Sequence, residues 1–302
     1  MDQGTPRDGS EEALRHAHAV LRDLDPDAAA GIDVLLHKTR ERRFDVAVLG
    51  EFKRGKSTFV NALLGGRILP TGVLPVTSVV TELVFAERPH LHVVTAEGEL
   101  DTDDVARLAW FVTEEANPSN RLGVRRVVVG YPSPFLRGGI VLYDTPGVGS
   151  VHDANTEATA ELLPRVDAAF FLTSADPPIS SAERRFLTEV ADHADKLFFV
   201  VNKLDAIDHA EHDAVLGFTA SVLRDAIGRD VDVYGVSARA ALDRGDDGLR
   251  RLEEAFGWFL RDGRDASMTR SVVRKARAEV RRVEDVLLVE AQGLRLSSQE
   301  RR

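Results

Sequence analysis

The segment Gly50-Glu51-Phe52-Lys53-Arg54-Gly55-Lys56-Ser57 brackets four residues between two glycines and ends on a lysine and a serine. Glycines let successive backbone N–H groups curl around an anion, and the N-terminus of a following helix adds partial positive charge. A lysine neutralises phosphate oxygens there, and a hydroxyl serves a magnesium ion. The spacing fits a phosphate cradle in which Lys56 meets β- and γ-phosphates and Ser57 faces Mg²⁺. Gly50, Glu51, Phe52, Lys53, Arg54, Gly55 and Thr58 complete its wall, with Glu51 read as solvated and Phe52 as packed beside the loop. The competing reading is a glycine turn carrying surface cations. Position argues against it, because the motif follows an apolar strand-like run and precedes an amphipathic helix.

Three further segments extend this chemistry. Asp144-Thr145-Pro146-Gly147 follows the apolar run 140–143. By itself it is often only a turn. Behind a phosphate cradle, Asp144 holds the Mg²⁺ shell through water and Gly147 offers its N–H to the γ-phosphate, a contact that disappears on hydrolysis. Asn202-Lys203-Leu204-Asp205 follows the apolar run 197–201. A carboxylate at Asp205 accepts two hydrogen bonds from guanine N1–H and its exocyclic amine, a pair that adenine lacks, and an unmet buried charge penalises the wrong base. Lys203 lays its alkyl stem along the base and Asn202 braces the pocket loops, although the tetrapeptide alone is a common solvated loop. Ser237-Ala238-Arg239 supplies a backbone N–H for guanine O6, a weak signal that gains from order and context. Taken in this order the four segments specify GTP and GDP as ligands, with Mg²⁺ as cofactor.

The elements that must hold these residues show in the hydrophobic period. Strand-like runs at 44–49, 79–85, 140–143, 168–172, 197–201 and 231–236 alternate with helix-like runs at 58–64 and 182–191, while 121–130 reads as an added strand and 103–115 as a helix. This predicts an α/β fold with a mainly parallel central sheet flanked by helices. Leu14, Ala17, Leu21 and Leu24, then Ile32, Leu35 and Leu36, predict an amphipathic helix broken near Pro26. After Gly263, Val273, Ala276, Val280, Val283, Leu287 and Leu294 fall on a near-heptad seam. The expected domains are an N-terminal helical segment at 1–42, an α/β domain at 43–263 and a C-terminal helix at 264–302.

In their order and spacing the four segments resemble the guanine-nucleotide-binding domain of the translation-factor and Ras-like GTPases, and more closely that of the bacterial dynamin-like proteins. Phe52 to Thr58, Asn61-Ala62-Leu63-Leu64-Gly65 and the segment Arg67-Ile68-Leu69-Pro70-Thr71-Gly72-Val73-Leu74-Pro75-Val76-Thr77 carry that closer resemblance. It implies that Thr77 is the switch threonine, with its hydroxyl on Mg²⁺ and its backbone near the attacking water. It also implies that the helices at both ends form a neck. Val148 follows Gly147, so the water-orienting glutamine of Ras-like proteins is missing. Dynamin-like proteins use loop side chains, the switch threonine and face-to-face dimerisation of GTPase domains instead. Lys53 and Arg54 stand where related proteins carry a cis arginine finger or polar catalytic groups, so Lys53, Arg54, Lys56 and Thr77 are the catalytic candidates. The alternative for the two cations is that both point to solvent. The resemblance implies a GTP-hydrolysing enzyme that dimerises with GTP, moves its neck and remodels membrane in the complete protein. A regulatory switch acting through partner binding, in ribosome or cell-envelope assembly, is the competing class.

Composition narrows the field further. The chain has 302 residues, 49 acidic against 39 basic, a net charge of -10 and no cysteine. That excludes disulfides and thiolate metal sites and argues against a nucleic-acid partner. Its nine histidines show no metal-like spacing, and His152 reads as part of a switch region. No signal peptide, no spanning apolar run and no counterpart of the family's stalk and membrane-binding tip is legible, so the expected location is cytoplasmic with at most peripheral contact at the inner face of the cell membrane. Arg270, Arg274, Lys275, Arg277, Arg281 and Arg282 on the last helix could attract anionic lipid, but Glu279, Glu284 and Asp285 among them fit a solvated face better.

Overall fold

The structure, a computed structural model, describes residues 6–72, 79–148, 153–176 and 179–300. Thr77, with residues 73–76 of the first switch, and His152 lie outside the described residues. The chain divides into two compact units, Phe44–Asp262 and the pair of terminal segments Met1–Arg43 and Gly263–Arg302.

The larger unit is built on a nine-stranded sheet: β1 (Phe44–Leu49), β2 (Thr81–Phe85), β3 (His90–Thr95), β4 (Glu99–Thr102), β5 (Val124–Tyr131), β6 (Ile140–Asp144), β7 (Ala168–Ser174), β8 (Lys196–Asn202) and β9 (Val233–Gly235). The spatial order is β4-β3-β5-β2-β6-β1-β7-β8-β9. From β6 to β9 neighbouring strands are parallel. Beyond β6 the sheet is mixed: β2 runs antiparallel to β6 and parallel to β5, and β3 is antiparallel to both β4 and β5. Every residue of β1, β6 and β7 is buried. That is why these strands read as continuous apolar runs and not as alternating ones.

Helices cover both faces. Among the described residues the helices are α1 (Pro6–Leu21), α2 (Pro26–Arg40), α3 (Lys56–Leu64), α4 (Leu108–Val112), α5 (Asp153–Leu162), α6 (Ser181–His193), α7 (His212–Ile227), α8 (Ala238–Arg244), α9 (Asp247–Asp262) and α10 (Arg264–Glu300). On one face Leu162, Leu187, Val190 and Leu223 from α5, α6 and α7 pack on Ala47, Tyr143, Phe171 and Phe199. On the other, Phe170 meets Phe59 of α3 at 5.5 Å and Phe256 of α9 at 5.2 Å between ring centroids, in tilted or edge-on geometry. Phe59 thus seats on the sheet the helix that opens directly behind the 50–57 loop.

Two elements depart from the sequence reading. The helix expected at 103–115 shrinks to a 3-10 turn and the short α4. Local side chains compete for its backbone: the Thr113 hydroxyl donates to Ala109 O at 2.7 Å and Asn117 Nδ2 to Phe111 O at 2.7 Å. The β3–β4 hairpin was not anticipated, although Leu91 and Val93 alternate inward between His90, His92 and Val94.

In the smaller unit α1, α2 and α10 pack on one another. Asp25 caps α2 by accepting from Ala28 N at 2.9 Å, with Pro26 in the first turn, which sets the break after α1. Arg282 of α10 pairs with Asp25 at 3.4 Å, and Arg42 with Asp265 at 3.3 Å. The expected seam on α10 is packed in part: Val283 is buried and Val273, Ala276 and Val280 are half-buried, Met268 and Val272 add buried residues before it, and Leu287 is exposed.

Candidate functional site

The four sequence segments meet at the carboxyl ends of the parallel strands, where ligands bind open α/β sheets. Gly50 follows β1, Asp144 ends β6, Asn202 ends β8 and Ser237 stands two residues past β9.

The loop 50–57 is shaped by backbone that side chains seldom adopt. Lys53 has φ 65 and Gly55 φ 85, and Lys203 in the facing loop has φ 62. Non-glycine residues in the left-handed region cluster where a surrounding structure over-determines them, commonly at functional sites. At Gly55 an added Cβ would stand 2.6 Å from Asn202 Nδ2, so glycine is needed for approach as well as for φ. Lys56 is buried and its ammonium donates to Gly50 O and Glu51 O, both at 3.0 Å, drawing the start of the loop over its own end. Burial pushes the Lys56 pKa down to about 8, with the charges of Asp144 and Glu183 opposing that fall. Two of the three ammonium donors serve these carbonyls, and the third remains for a ligand.

Ser57 Oγ donates to Asp144 Oδ2 at 2.7 Å, joining the cradle to the end of β6. A hydroxyl beside a carboxylate is the hard oxygen set that Mg²⁺ takes. Thr145 turns its hydroxyl to Val48 O at 2.7 Å, and Val148 exchanges backbone hydrogen bonds with the loop: Phe52 N donates to Val148 O at 3.2 Å, Val148 N to Gly50 O at 3.4 Å. Gly147 lies so close to this bridge that an added Cβ would stand 2.6 Å from Phe52 Cα.

Asn202 is the brace between segments. It is buried, its Nδ2 donates to Arg54 O at 2.9 Å, and its Oδ1 accepts from Lys203 N at 2.8 Å and Ala238 N at 3.1 Å. The Ala238 N–H is therefore engaged by the brace. Ser237 Oγ donates to the exposed Asp205 carboxylate at 2.5 Å and accepts from Ala240 N at 3.2 Å, capping α8. Desolvation lowers the Lys203 pKa, helped by the charges of Arg54 and Lys53. Arg239 is exposed on α8, and Thr58 sits half-buried in the first turn of α3.

A model of the family described as "Dynamin family" matches residues 46–204. The chain belongs to the dynamin family. It carries a dynamin-type GTPase domain, with the GTP binding and hydrolysis that membership implies. A protein in the xynA 3' region of Caldicellulosiruptor sp. (strain Rt8B.4) is 40% identical over 207 residues, covering 68% of this chain and 52% of its own length. A bacterial dynamin-like protein of Nostoc punctiforme is 30% identical over 175 residues, covering 54% of this chain and 25% of its own. The chain thus spans about half the length of the first of these relatives and a quarter of the second. A solved oligomerised bacterial dynamin pair, described as a mechanism for long-range sensing and tethering of membranes, shares the fold with a TM-score of 0.59 at 16% identity, covering 99% of this chain and 51% of that one.

Against this dynamin background two sequence expectations are corrected. Arg54, a candidate for neutralising phosphate charge, is buried in a protein-facing ion pair: Nε and Nη2 donate to the two Glu183 oxygens, each at 2.7 Å, and Nη1 to Ser174 Oγ at 2.5 Å. Glu51, expected to be solvated, accepts from Ser180 Oγ at 2.8 Å and from Arg54 Nη2 at 3.3 Å. Lys53 is exposed, its ammonium 5.3 Å from the Phe52 ring centroid.

Sequence reasoning missed Glu183, Ser174 and Ser180, which anchor the loop from β7 and α6. It also gave no role to Asn61 of α3. Buried Asn61 accepts from Ile68 N at 3.0 Å and Leu69 N at 2.8 Å and donates to Leu69 O at 2.9 Å. It clips down the start of the segment that follows α3. A capping-box signature, Ser180 with Glu183 three residues on, was the one legible sign that Glu183 has structural work.

Proposed function

We propose that this dynamin-family domain binds GTP between the 50–57 loop and the Asn202–Asp205 and Ser237–Arg239 segments, and hydrolyses it with Mg²⁺. The observation that carries this reading is the Asn202 brace, which joins the phosphate loop to the base loop through one buried side chain. Asp205 is the guanine acceptor, and Ser237 keeps its carboxylate in place. Lys56 neutralises the β- and γ-phosphates, and Gly147 offers its N–H to the γ-phosphate. Ser57 and Asp144 fit a Mg²⁺ ion, Asp144 through water, with Thr77 as a further ligand. Among the described residues no three His, Cys, Asp or Glu side chains converge, so the ion would complete its shell with water and phosphate oxygens. Bound there, Mg²⁺ would offset charge on the phosphates.

Catalysis in this reading is completed between two copies. Val148 has a buried apolar side chain and cannot orient a water, and Arg54 is committed to Glu183. Of the loop cations only Lys53 is left exposed, beside Thr77 as the remaining candidate. A GTP-bound homodimer of the α/β units supplies what one copy lacks, and the three-helix unit, read as a neck, converts dimerisation into movement. Membrane remodelling then belongs to the longer proteins of which such chains form a part. No described helix is long and apolar enough to cross a membrane.

The test is GTP turnover measured against protein concentration, with sedimentation in GDP plus aluminium fluoride. Turnover per molecule should rise with concentration, and a dimer should appear with the mimic. Turnover that is independent of concentration, by a monomer, favours the regulatory-switch class. Equal affinity for ATP and GTP refutes the base assignment.

A further inference from the structure

An arginine in a phosphate-binding loop would ordinarily face phosphate. Arg54 faces the protein instead, and the group that receives it is built to do so. Glu183 is fully buried at the third position of α6, where its Oε2 also accepts from Ser180 N at 2.8 Å while Ser180 Oγ accepts from Glu183 N at 3.0 Å. A fork-on-fork pair fixes direction as well as distance. From the Arg54 carbonyl the chain of contacts continues to Asn202 and on to Ala238 N. One connected path therefore runs from the start of α6 through the phosphate loop to both base-recognition segments. The loop needs such support, since Lys53, immediately before Arg54, is held at φ 65 and Gly55, immediately after it, at φ 85.

We propose that Glu183 is a positioning residue for the nucleotide site: through Arg54 it holds the 50–57 loop in its phosphate-accepting shape before nucleotide arrives. The inference rests on the reading of 50–57 as the phosphate cradle. A buried pair suits this role, because loss of one partner strands the other and the loop cannot slip to a neighbouring arrangement without breaking both bonds. Glu183 acts equally on GDP and GTP, since it sets the fraction of molecules able to accept phosphate and makes no contact with the reacting atoms. Once nucleotide is bound, the phosphates themselves hold the loop.

Glu183→Gln keeps the volume and removes the charge. Arg54→Lys keeps the charge and removes the fork, and it decides the matter if the glutamine variant fails to fold. Glu189→Gly, at an exposed position of the same helix, weakens α6 without touching the pair. Dissociation constants for fluorescent GDP and GTP, melting temperature, and kcat at saturating GTP are measured for each. If the competent fraction falls to about a tenth, both dissociation constants rise about tenfold in Glu183→Gln and Arg54→Lys. In Glu183→Gln, at a residue outside the loop, kcat stays within about twofold of wild type. Glu189→Gly lowers the melting temperature and leaves affinity alone. Wild-type affinity in both pair variants, whatever their melting temperature, overturns the proposal, because the pair is then only a fold contact. A loss confined to kcat overturns it too, by placing Arg54 in the chemistry, as does a selective gain for GTP over GDP. Failure of the wild type to bind either nucleotide would instead remove the parent reading.

Discussion

Replacing Lys56 by methionine should make the nucleotide-free protein more stable while removing its hold on phosphate. The Lys56 ammonium is buried against Gly50 O and Glu51 O, and desolvation lowers its pKa from 10.5 to about 8. A lysine with a folded pKa below its unfolded one costs stability wherever both states carry the proton, that is below pH 8. The cost is released as pH rises from about 8 towards 10.5, where the unfolded chain still binds the proton and the folded one does not. At about 1.36 kcal/mol per pH unit the gap amounts to about 3 kcal/mol near pH 7, of which about 2 kcal/mol is gone near pH 9.5. Methionine fills similar volume without charge but leaves two carbonyls without their donor, so the net gain near pH 7 should be about 1–2 kcal/mol. Urea unfolding of wild type and Lys56→Met without nucleotide reads this directly, and comparison with the variant cancels the other groups that titrate in the same range. The advantage of the variant should fall by about 2 kcal/mol between about pH 7 and about pH 9.5, so that it closes or changes sign. GDP at about a hundred times its dissociation constant should add about 2.7 kcal/mol to the wild type and nothing to the variant. A variant less stable than wild type near neutral pH, or a gap that ignores pH, would refute the account of a lysine held against its own solvation.

Gly147→Ala forces a Cβ to within 2.6 Å of Phe52 Cα, so thermal unfolding should show a loss of about 1–3 kcal/mol and GTP turnover should fall more than GDP affinity. Asp205→Asn removes the shared acceptor of guanine N1–H and amine, so competition binding should show the preference for GTP over xanthosine triphosphate falling by about a hundredfold. Thr77→Ala, argued from the family resemblance, should keep most nucleotide affinity while kcat falls at least about a hundredfold and the aluminium fluoride dimer is lost. Normal turnover in that variant would remove Thr77 from the site.

The parts of this site legible in sequence are those where a motif abuts its own strand. Gly50, Asp144 and Asn202 each follow an apolar run that became a buried strand, so local pattern and placement agreed. Asn202 was even readable as a brace, since its position between two loops leaves few other uses for a buried amide. Arg54 was not readable in the same way. Its partner lies 129 residues away in α6, and no local period announces a pairing across β7. Glu51 failed for the same reason, because its partner Ser180 is equally distant. The mixed end of the sheet was missed because β3 and β4 are a short edge hairpin with half-exposed residues, whose alternation competes poorly with the long apolar runs beside it. On α10 the heptad reading found the packed stripe in its middle, where Val283 is buried and Val273, Ala276 and Val280 are half-buried, but carried it too far at Leu287, which is exposed. Met268 and Val272 extend the buried stripe towards the start of the helix, before the point at which the seam was read to begin.

The three-helix unit draws α1 and α2 from one end of the sequence and α10 from the other, and the Arg42–Asp265 pair closes it across 223 residues. On a ribosome the whole nucleotide-binding unit is made in between. At about 5–20 residues per second, α1 and α2 wait roughly 10–45 s for the helix that completes their packing. In that interval α1 and α2 lack the packing of α10, while the inserted unit already holds every strand of its sheet. Biosynthesis therefore favours a nascent chain whose GTP site matures first. The early helices make a natural client for chaperones that shield apolar surface, and a ribosome stalled before α10 would display a folded nucleotide-binding unit beside an unfinished helical one.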